Sequence, residues 1–148
     1  MGKYKPLDID NVIKILKNYP DVYFVTDTKE DQDKVIIQKQ FELIVQAAKR
    51  AGDINLLDRI IPELYNEEML NQVQAIYPFP SYLFSLYLSS YNEDEIVELA
   101  KKYDMSTLAM PPERASAEVL YRFRDGYGST LSWTKSPAPI RSRLYISA

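Results

Sequence analysis

The side chains of this sequence that could do chemistry are carboxylates, and they fall into three clusters. The clusters are Glu30, Asp31 and Asp33, then Glu67 and Glu68, and then Glu93, Asp94 and Glu95. A metal site or an acid–base site needs carboxylates that converge in one pocket. Each cluster instead stands at the start of a segment with helical spacing, where the positive end of the helix dipole explains it. We therefore predict helix starts at these positions and no metal site.

The sequence contains no cysteine and no histidine, which removes most familiar catalytic groups. Without cysteine the chain has no disulfide, no thiolate metal site and no cysteine nucleophile. Without histidine it lacks the commonest general base and the usual zinc ligand. We predict no catalytic residue, no cofactor and no metal, and we rank an enzyme last among the function classes. Two carboxylates that converge in a deep pocket would be evidence for an enzyme.

The charge is distributed unevenly along the 148 residues. The first 125 residues hold all 21 acidic side chains and 15 of the 18 basic ones, a net charge of −6, whereas residues 126–148 carry +3. An acidic body argues against general DNA binding, and a basic tail suits contact with phosphate or with the acidic body of a neighbouring subunit. No apolar run approaches the ~20 residues of a membrane span, so none is predicted.

Residues 28–52 carry the most complete helical signals in the chain. Their apolar side chains recur at helical spacing, at Ile37, Phe41, Ile44 and Ala48. Asp27 or Thr28 can cap the start of the helix, and Gly52 suits the left-handed position that follows its end. We predict that this long helix organises the fold.

Shorter helices are predicted on both sides of the long one, so the predicted fold class is all-α. Their starts are placed at Asp8 or Asp10, Asp53, Asn66, Ser81 (leading into residues 82–91), Asn92 with Glu95 as a capping box, and Pro111–Pro112. Pro62 is expected to kink a helix or to restart it. Residues 22–25 are β-prone and are interpreted as an extended connector, with one strand of a small sheet as the alternative. The predicted architecture is a helical bundle around the long helix, with an extended N-terminal arm at residues 1–7.

Residues 126–148 lose the helical period, and we predict that they form an extended C-terminal arm beyond a helical domain of residues 1–125. Pro137 and Pro139 favour extended backbone. The arm keeps large apolar side chains such as Trp133, so we expect it to dock on its own chain or on a neighbour. The arginines and aromatic residues near the end of the chain suit either phosphate pairing and base stacking or a subunit interface.

Three short stretches, Met1–Pro6, Val12–Leu16 and Lys49–Asp53, resemble the coat proteins of the bicaudavirus-like spindle-shaped tailed viruses of hot-acid archaea. They also resemble the paralogue of those proteins, a small inhibitor of the host RNA polymerase. The resemblance covers the first third of the chain. It implies an α-helical-bundle virion subunit, made in the host cytoplasm, that polymerises into a helical or spindle-shaped shell.

The sequence thus leads to the hypothesis of a viral structural protein that assembles with copies of itself. The predicted subunit interface consists of Tyr82, Phe84, Tyr87, Trp133, Arg141, Arg143, Leu144, Tyr145 and Ile146. The basic arm is also the predicted contact with viral DNA. The alternative hypothesis is a small regulator whose acidic body occupies the basic DNA channel of the host RNA polymerase.

Overall fold

The computed structural model describes residues 7–28, 33–103, 105, 107–119, 121–122, 132–135 and 144–147. Within these residues, helices alternate with short strands. The helices are α1 (Ile9–Asn18), α2 (Lys34–Arg50), α3 (Glu67–Ile76) and α4 (Glu93–Lys102). The strands are β1 (Phe24–Val25), β2 (Ile60–Ile61), β3 (Glu63–Leu64), β4 (Leu83–Ser85), β5 (Thr107–Met110), β6 (Ser132–Lys135) and β7 (Leu144–Ser147). Short 3₁₀ helices cover Ile54–Arg59 and Pro112–Arg114, and residues 117–119 and 121–122 are helical.

The predicted all-α fold class is wrong, because the chain is a mixed fold of helices and strands. Residues 82–91, predicted as a helix that is either fully buried or partly covered by another subunit, contain β4 instead. Residues 22–25 contain β1, as the alternative interpretation proposed. The strands have only two to four residues, too few to display an alternating pattern. A strand covered on both faces is apolar throughout, and so is a fully buried helix, so the sequence pattern could not separate them.

The strands form a two-stranded sheet, β1-β2, and a five-stranded sheet that begins with β3-β4-β5, and all of these pairs are parallel. β1 pairs with β2, β3 with β4, and β4 with β5, each pair parallel. β2 and β3 are the two halves of one extended segment around Pro62, where a helix kink or restart was predicted. The Thr26 amide donates to the Ile61 carbonyl at 3.0 Å on one side, and the Leu83 amide donates to the Pro62 carbonyl at 2.9 Å on the other. Since α2, α3 and α4 each connect neighbouring parallel strands, the chain is a series of strand–helix units.

The two faces of this parallel sheet have different chemistry. The helix-covered face shares a hydrophobic core with all four helices, built from residues that include Ile13, Leu16, Phe41, Ile44, Leu70, Val73, Ile96, Leu99, Leu64, Phe84 and Leu108. Glu63, Leu83, Ser85 and Ala109 alternate with the strand members of that set, so they point to the opposite face. All four are buried as well. The second face therefore combines burial with a carboxylate and a hydroxyl.

The α-helices of the structure begin at capping residues predicted from the sequence, with one exception, whereas Ser81, a further predicted cap, precedes β4 and no helix. The predicted caps are found at Asp8, Asp53, Asn66 and Asn92, the last in a complete capping box with Glu95. The exception is α2, which is capped by Asp33 rather than by Asp27 or Thr28. At its other end Gly52 has a φ of +71°, the left-handed conformation predicted for that position.

Two segments of the C-terminal tail are strands of the chain's own sheet. β7 pairs antiparallel with β5, and β6 pairs antiparallel with β7, which gives the order β3-β4-β5-β7-β6. These residues are therefore extended and docked on their own chain, one of the two outcomes expected for the tail. The division of the chain into a domain of residues 1–125 and an arm stays a prediction. Residues 1–6 of the predicted N-terminal arm lie outside the described residues.

Candidate functional site at the carboxyl ends of the parallel strands

Parallel strands end at one edge of their sheet, and the segments that leave them there collect side chains from distant parts of the sequence. In this chain β1, β3 and β4 end at that edge. The segments that follow them begin at Thr26, Tyr65 and Leu86. The register of the strands then determines which side chains are neighbours.

Two acidic residues belong to neighbouring segments at this edge, one buried and one exposed. Val25 of β1 is in register with Ile61 of β2, so two residues further on Asp27 reaches the position beside Glu63. Neighbouring strands are about 4.8 Å apart. The Glu63 amide donates to Thr26 Oγ1 at 3.2 Å, which holds the two segments together beyond the end of β1. Glu63 is only 1% exposed, whereas Asp27 is open to solvent.

Two hydroxyl groups stand on the segments around Asp27 and Glu63. The Tyr65 hydroxyl donates to Asp27 Oδ1 at 3.1 Å. Ser85, at the end of β4, lies on the same face as Glu63, and its side chain is 0% exposed. Within the described part of the chain its Oγ has no hydrogen-bond partner. A buried hydroxyl left without a partner costs about 1–3 kcal/mol.

The segments around the site are held by side chains from elsewhere in the fold. Thr28, which is buried, donates from Oγ1 to Gln40 Oε1 of α2 at 3.1 Å. The Arg114 guanidinium donates to the carbonyls of Leu86 at 2.7 Å and Ser89 at 2.8 Å, and also to the carbonyl of Tyr91. These bonds fix the segment that follows β4, directly beyond Ser85. The site is thus built on hydrogen-bonded strand ends rather than on loosely attached loops.

The residues predicted as a subunit interface are dispersed over the structure. Phe84 lies in the core and is 1% exposed, so its own chain already covers its ring. Tyr82 and Tyr87 are half-buried, and burial raises the pKa of the Tyr82 hydroxyl. Trp133 lies in β6, and Leu144, Tyr145 and Ile146 lie in β7, in register with Met110, Ala109 and Leu108 of β5. Arg141 and Arg143 lie outside the described residues, and the interface itself stays a prediction.

The acidic clusters are helix starts, as predicted, in every part that the structure describes. Glu67 and Glu68 open α3, and Glu93, Asp94 and Glu95 open α4. Among the described residues, no three acidic side chains are grouped so that they could hold a metal ion. Glu30 and Asp31 lie outside the described residues.

Several of these carboxylates form ion pairs with other elements. Glu67 Oε1 accepts from Lys102 Nζ and from the Tyr103 hydroxyl, both at 2.5 Å, and these bonds lower the pKa of Glu67 and raise that of Lys102. Asp94 accepts from Arg122 at 2.6 Å, which raises the pKa of Arg122. The contacts join α3 to α4 and α4 to the residues that follow Arg114, so the clusters have a structural role.

Sequence reasoning missed this place in the fold because it assigned Glu63 to a helix that kinks or restarts at Pro62. A signal was present: Glu63 is the only charged residue of the extended segment Ile60–Leu64. A lone carboxylate in a short apolar run indicates a buried polar group, which is rare without a partner or a role. Its neighbour Asp27 could be recognised only from the pairing of β1 with β2.

Comparison of the chain with protein-family models, with curated proteins and with solved structures finds no match. Among the described helices, none has both the length and the apolar character needed to cross a membrane. The geometry of the strand ends is therefore the basis for a functional proposal.

Proposed function

We propose that this chain is an enzyme domain that binds a small hydroxyl-bearing molecule at the carboxyl ends of β1, β3 and β4 and catalyses an acid–base step on it. The observation that carries the proposal is the buried side chain of Glu63, in a segment that neighbours the one holding the exposed Asp27.

The two carboxylates stand in different environments, which is the arrangement that acid–base catalysis uses. A carboxyl group in a buried site and another in contact with water can hold protons to different extents, and the pair can then act as donor and acceptor. Glu63 is assigned the role of proton donor, and Asp27, oriented by the Tyr65 hydroxyl, that of acceptor. Because the site offers carboxylate and hydroxyl oxygens, its best complement is a ligand with several O–H donors.

The winding of the sheet supports the location by analogy. Three pairs of parallel neighbours, β1 with β2, β3 with β4 and β4 with β5, are each joined by a helix, and such strand–helix–strand units are the repeating unit of (β/α) barrels. Active sites in such folds lie at the carboxyl ends of the strands. The analogy concerns the place of the site, and the chemistry rests on the side chains themselves.

A substrate panel with one matched pair of variants tests the proposal. The panel contains nitrophenyl glycosides, carboxylic esters and phosphate diesters, with release of nitrophenol as the signal. Glu63→Gln should lower any turnover by about 10²–10⁴-fold, the usual contribution of a general acid or base. Glu68→Gln, an exposed position on α3 that pairs with Lys34, should leave turnover unchanged. No turnover across the panel, or equal rates in the two variants, would contradict the proposal.

The virion-subunit and polymerase-inhibitor hypotheses stay predictions from the sequence resemblance. The virion subunit implied an α-helical bundle and the inhibitor an acidic helical body, whereas the chain is a mixed fold of helices and strands. The resemblance therefore gains no support from the fold. Filaments or shells in negative-stain images of the purified protein would favour the virion subunit.

A further inference from the structure

The helices α2, α3 and α4 begin next to one another at the edge where the parallel strands end. α3 starts at Glu67, three residues after the last residue of β3. The Lys34 ammonium at the start of α2 pairs with Glu68 of α3. On the other side, the Glu67 amide donates at 3.4 Å to the hydroxyl of Tyr91, which directly precedes the cap of α4. Phosphate groups commonly bind at such helix starts, because the free amides and the helix dipole attract anions.

Side chains of the chain itself already occupy first-turn amides of all three helices. The oxygen of each N-cap side chain, Asp33 in α2, Asn66 in α3 and Asn92 in α4, accepts from these amides at 2.8–3.1 Å. An arriving phosphate would have to displace these capping bonds before it could accept from the same amides. The three helix starts are therefore closed to an anionic ligand.

The charges around the starts of α3 and α4 also oppose an anion. The first turns of these two helices contain five carboxylates, those of Glu67, Glu68, Glu93, Asp94 and Glu95. The basic side chains that reach them, Lys34, Lys102 and Arg122, each pair with one of these carboxylates. Negative charge is thus in excess among these groups, and like charges across an interface disfavour binding.

We propose that the ligand of the candidate site is an uncharged polyhydroxyl compound without a phosphate or carboxylate group. The inference rests on the proposed function, which places a hydroxyl-bearing ligand at this edge, and adds the charge of that ligand. A phosphate monoester of the same compound would meet occupied amides and like charges, so it should bind about tenfold or more weakly. Glu67 determines this specificity most directly, because it neutralises the Lys102 ammonium beside the first turn of α3.

NMR titrations of the full chain, followed at the amides of residues 65–69 and 92–95, test the proposal. The first titration compares a neutral nitrophenyl glucoside with its phosphate monoester, and the neutral compound should bind more tightly. The second uses inorganic phosphate at constant ionic strength. The wild type should show no saturable shift, whereas Glu67→Gln should show one because Lys102 loses its partner. Glu98→Gln is the matched control, since Glu98 is exposed in the middle of α4, and it should behave as the wild type.

Three outcomes would overturn the proposal. The first is saturable phosphate binding by the wild type at these amides, and the second is a phosphorylated glucoside that binds as tightly as the neutral one. The third is a Glu67→Gln variant that gains no more phosphate binding than Glu98→Gln. Failure of the proposed function gives a different result: neither glucoside binds and no substrate of the panel is turned over, while the phosphate titrations still decide whether this edge excludes anions.

Discussion

Arg114 makes the most concentrated set of bonds near the candidate site, and its removal gives a quantitative test of the fold. Its guanidinium donates to three carbonyls in the segment that follows β4: those of Leu86, Ser89 and Tyr91. A planar guanidinium can satisfy several carbonyls at once, which the ammonium of lysine cannot reproduce. Arg114→Ala should therefore loosen this segment, and Arg114→Lys should recover only a small part of the loss.

The magnitude follows from the number of bonds. A typical hydrogen bond contributes about 1 kcal/mol net, so three give about 3 kcal/mol. Arg114 is only half-buried, and water can replace part of its bonding, so the expected loss is about 2–3 kcal/mol. For a chain of this size, each 1 kcal/mol lowers the melting temperature by about 2–4 °C, and the expected decrease is about 8 °C.

Urea unfolding followed by circular dichroism measures this loss, and hydrogen exchange of residues 86–91 locates it. Arg50→Ala is the matched control, because Arg50 makes one exposed ion pair, with Asp10 at 2.6 Å. Such a pair contributes under about 1 kcal/mol. If Arg114→Ala costs no more than Arg50→Ala, or if exchange of residues 86–91 is unchanged, the guanidinium does not hold the segment.

Three further predictions follow from the described contacts. Phe84→Ala should destabilise the isolated chain by about 3–5 kcal/mol in urea unfolding, because it empties a core site; a surface ring used only between subunits would cost far less. Asn92→Ala should cost about 1 kcal/mol through loss of the α4 cap, which helix-resolved hydrogen exchange would detect. The pKa of Glu67 is lowered in the folded chain, so its stabilisation is present above the unfolded pKa of about 4.5 and is lost as pH falls through the lower folded value. Glu67→Gln should flatten that part of the stability profile, and an unchanged acid limb would contradict the assignment.

Local capping chemistry could be predicted from the sequence, and pairing between distant strands could not. Asn66 and Asn92 cap their helices through bonds to amides three residues away, so their neighbours in the sequence contain the whole signal. The strand Leu83–Ser85 is defined by partners at Glu63 and Leu108, which are about 20 residues away on either side. An apolar run of that length fits a buried strand as well as a buried helix.

The candidate site could not be predicted from the sequence, for the same reason. The burial of the Glu63 carboxylate is unusual, and it follows from the face of the sheet on which that side chain lies. The pairing of Glu63 with Leu83 sets that face. Ser85 sits in an apolar run where its hydroxyl suggests no role until its burial is known. Asp27 looked like a helix cap because α2 was extended too far toward the N-terminus, and Asp33 takes that role.

Pro62 has a consequence for how uniquely this sheet can form. It stands between the halves of Ile60–Leu64, the segment that bonds β1 with its first half and β4 with its second. Proline has no amide hydrogen, so it can stand in a sheet only at a position where no backbone N–H has to donate to a neighbouring strand. A slip of one residue would turn the carboxylate of Glu63 into the hydrophobic core and send Leu64 to the opposite face. Pro62 and Glu63 together thus discriminate against misregistered sheets during folding, whatever further role the carboxylate has.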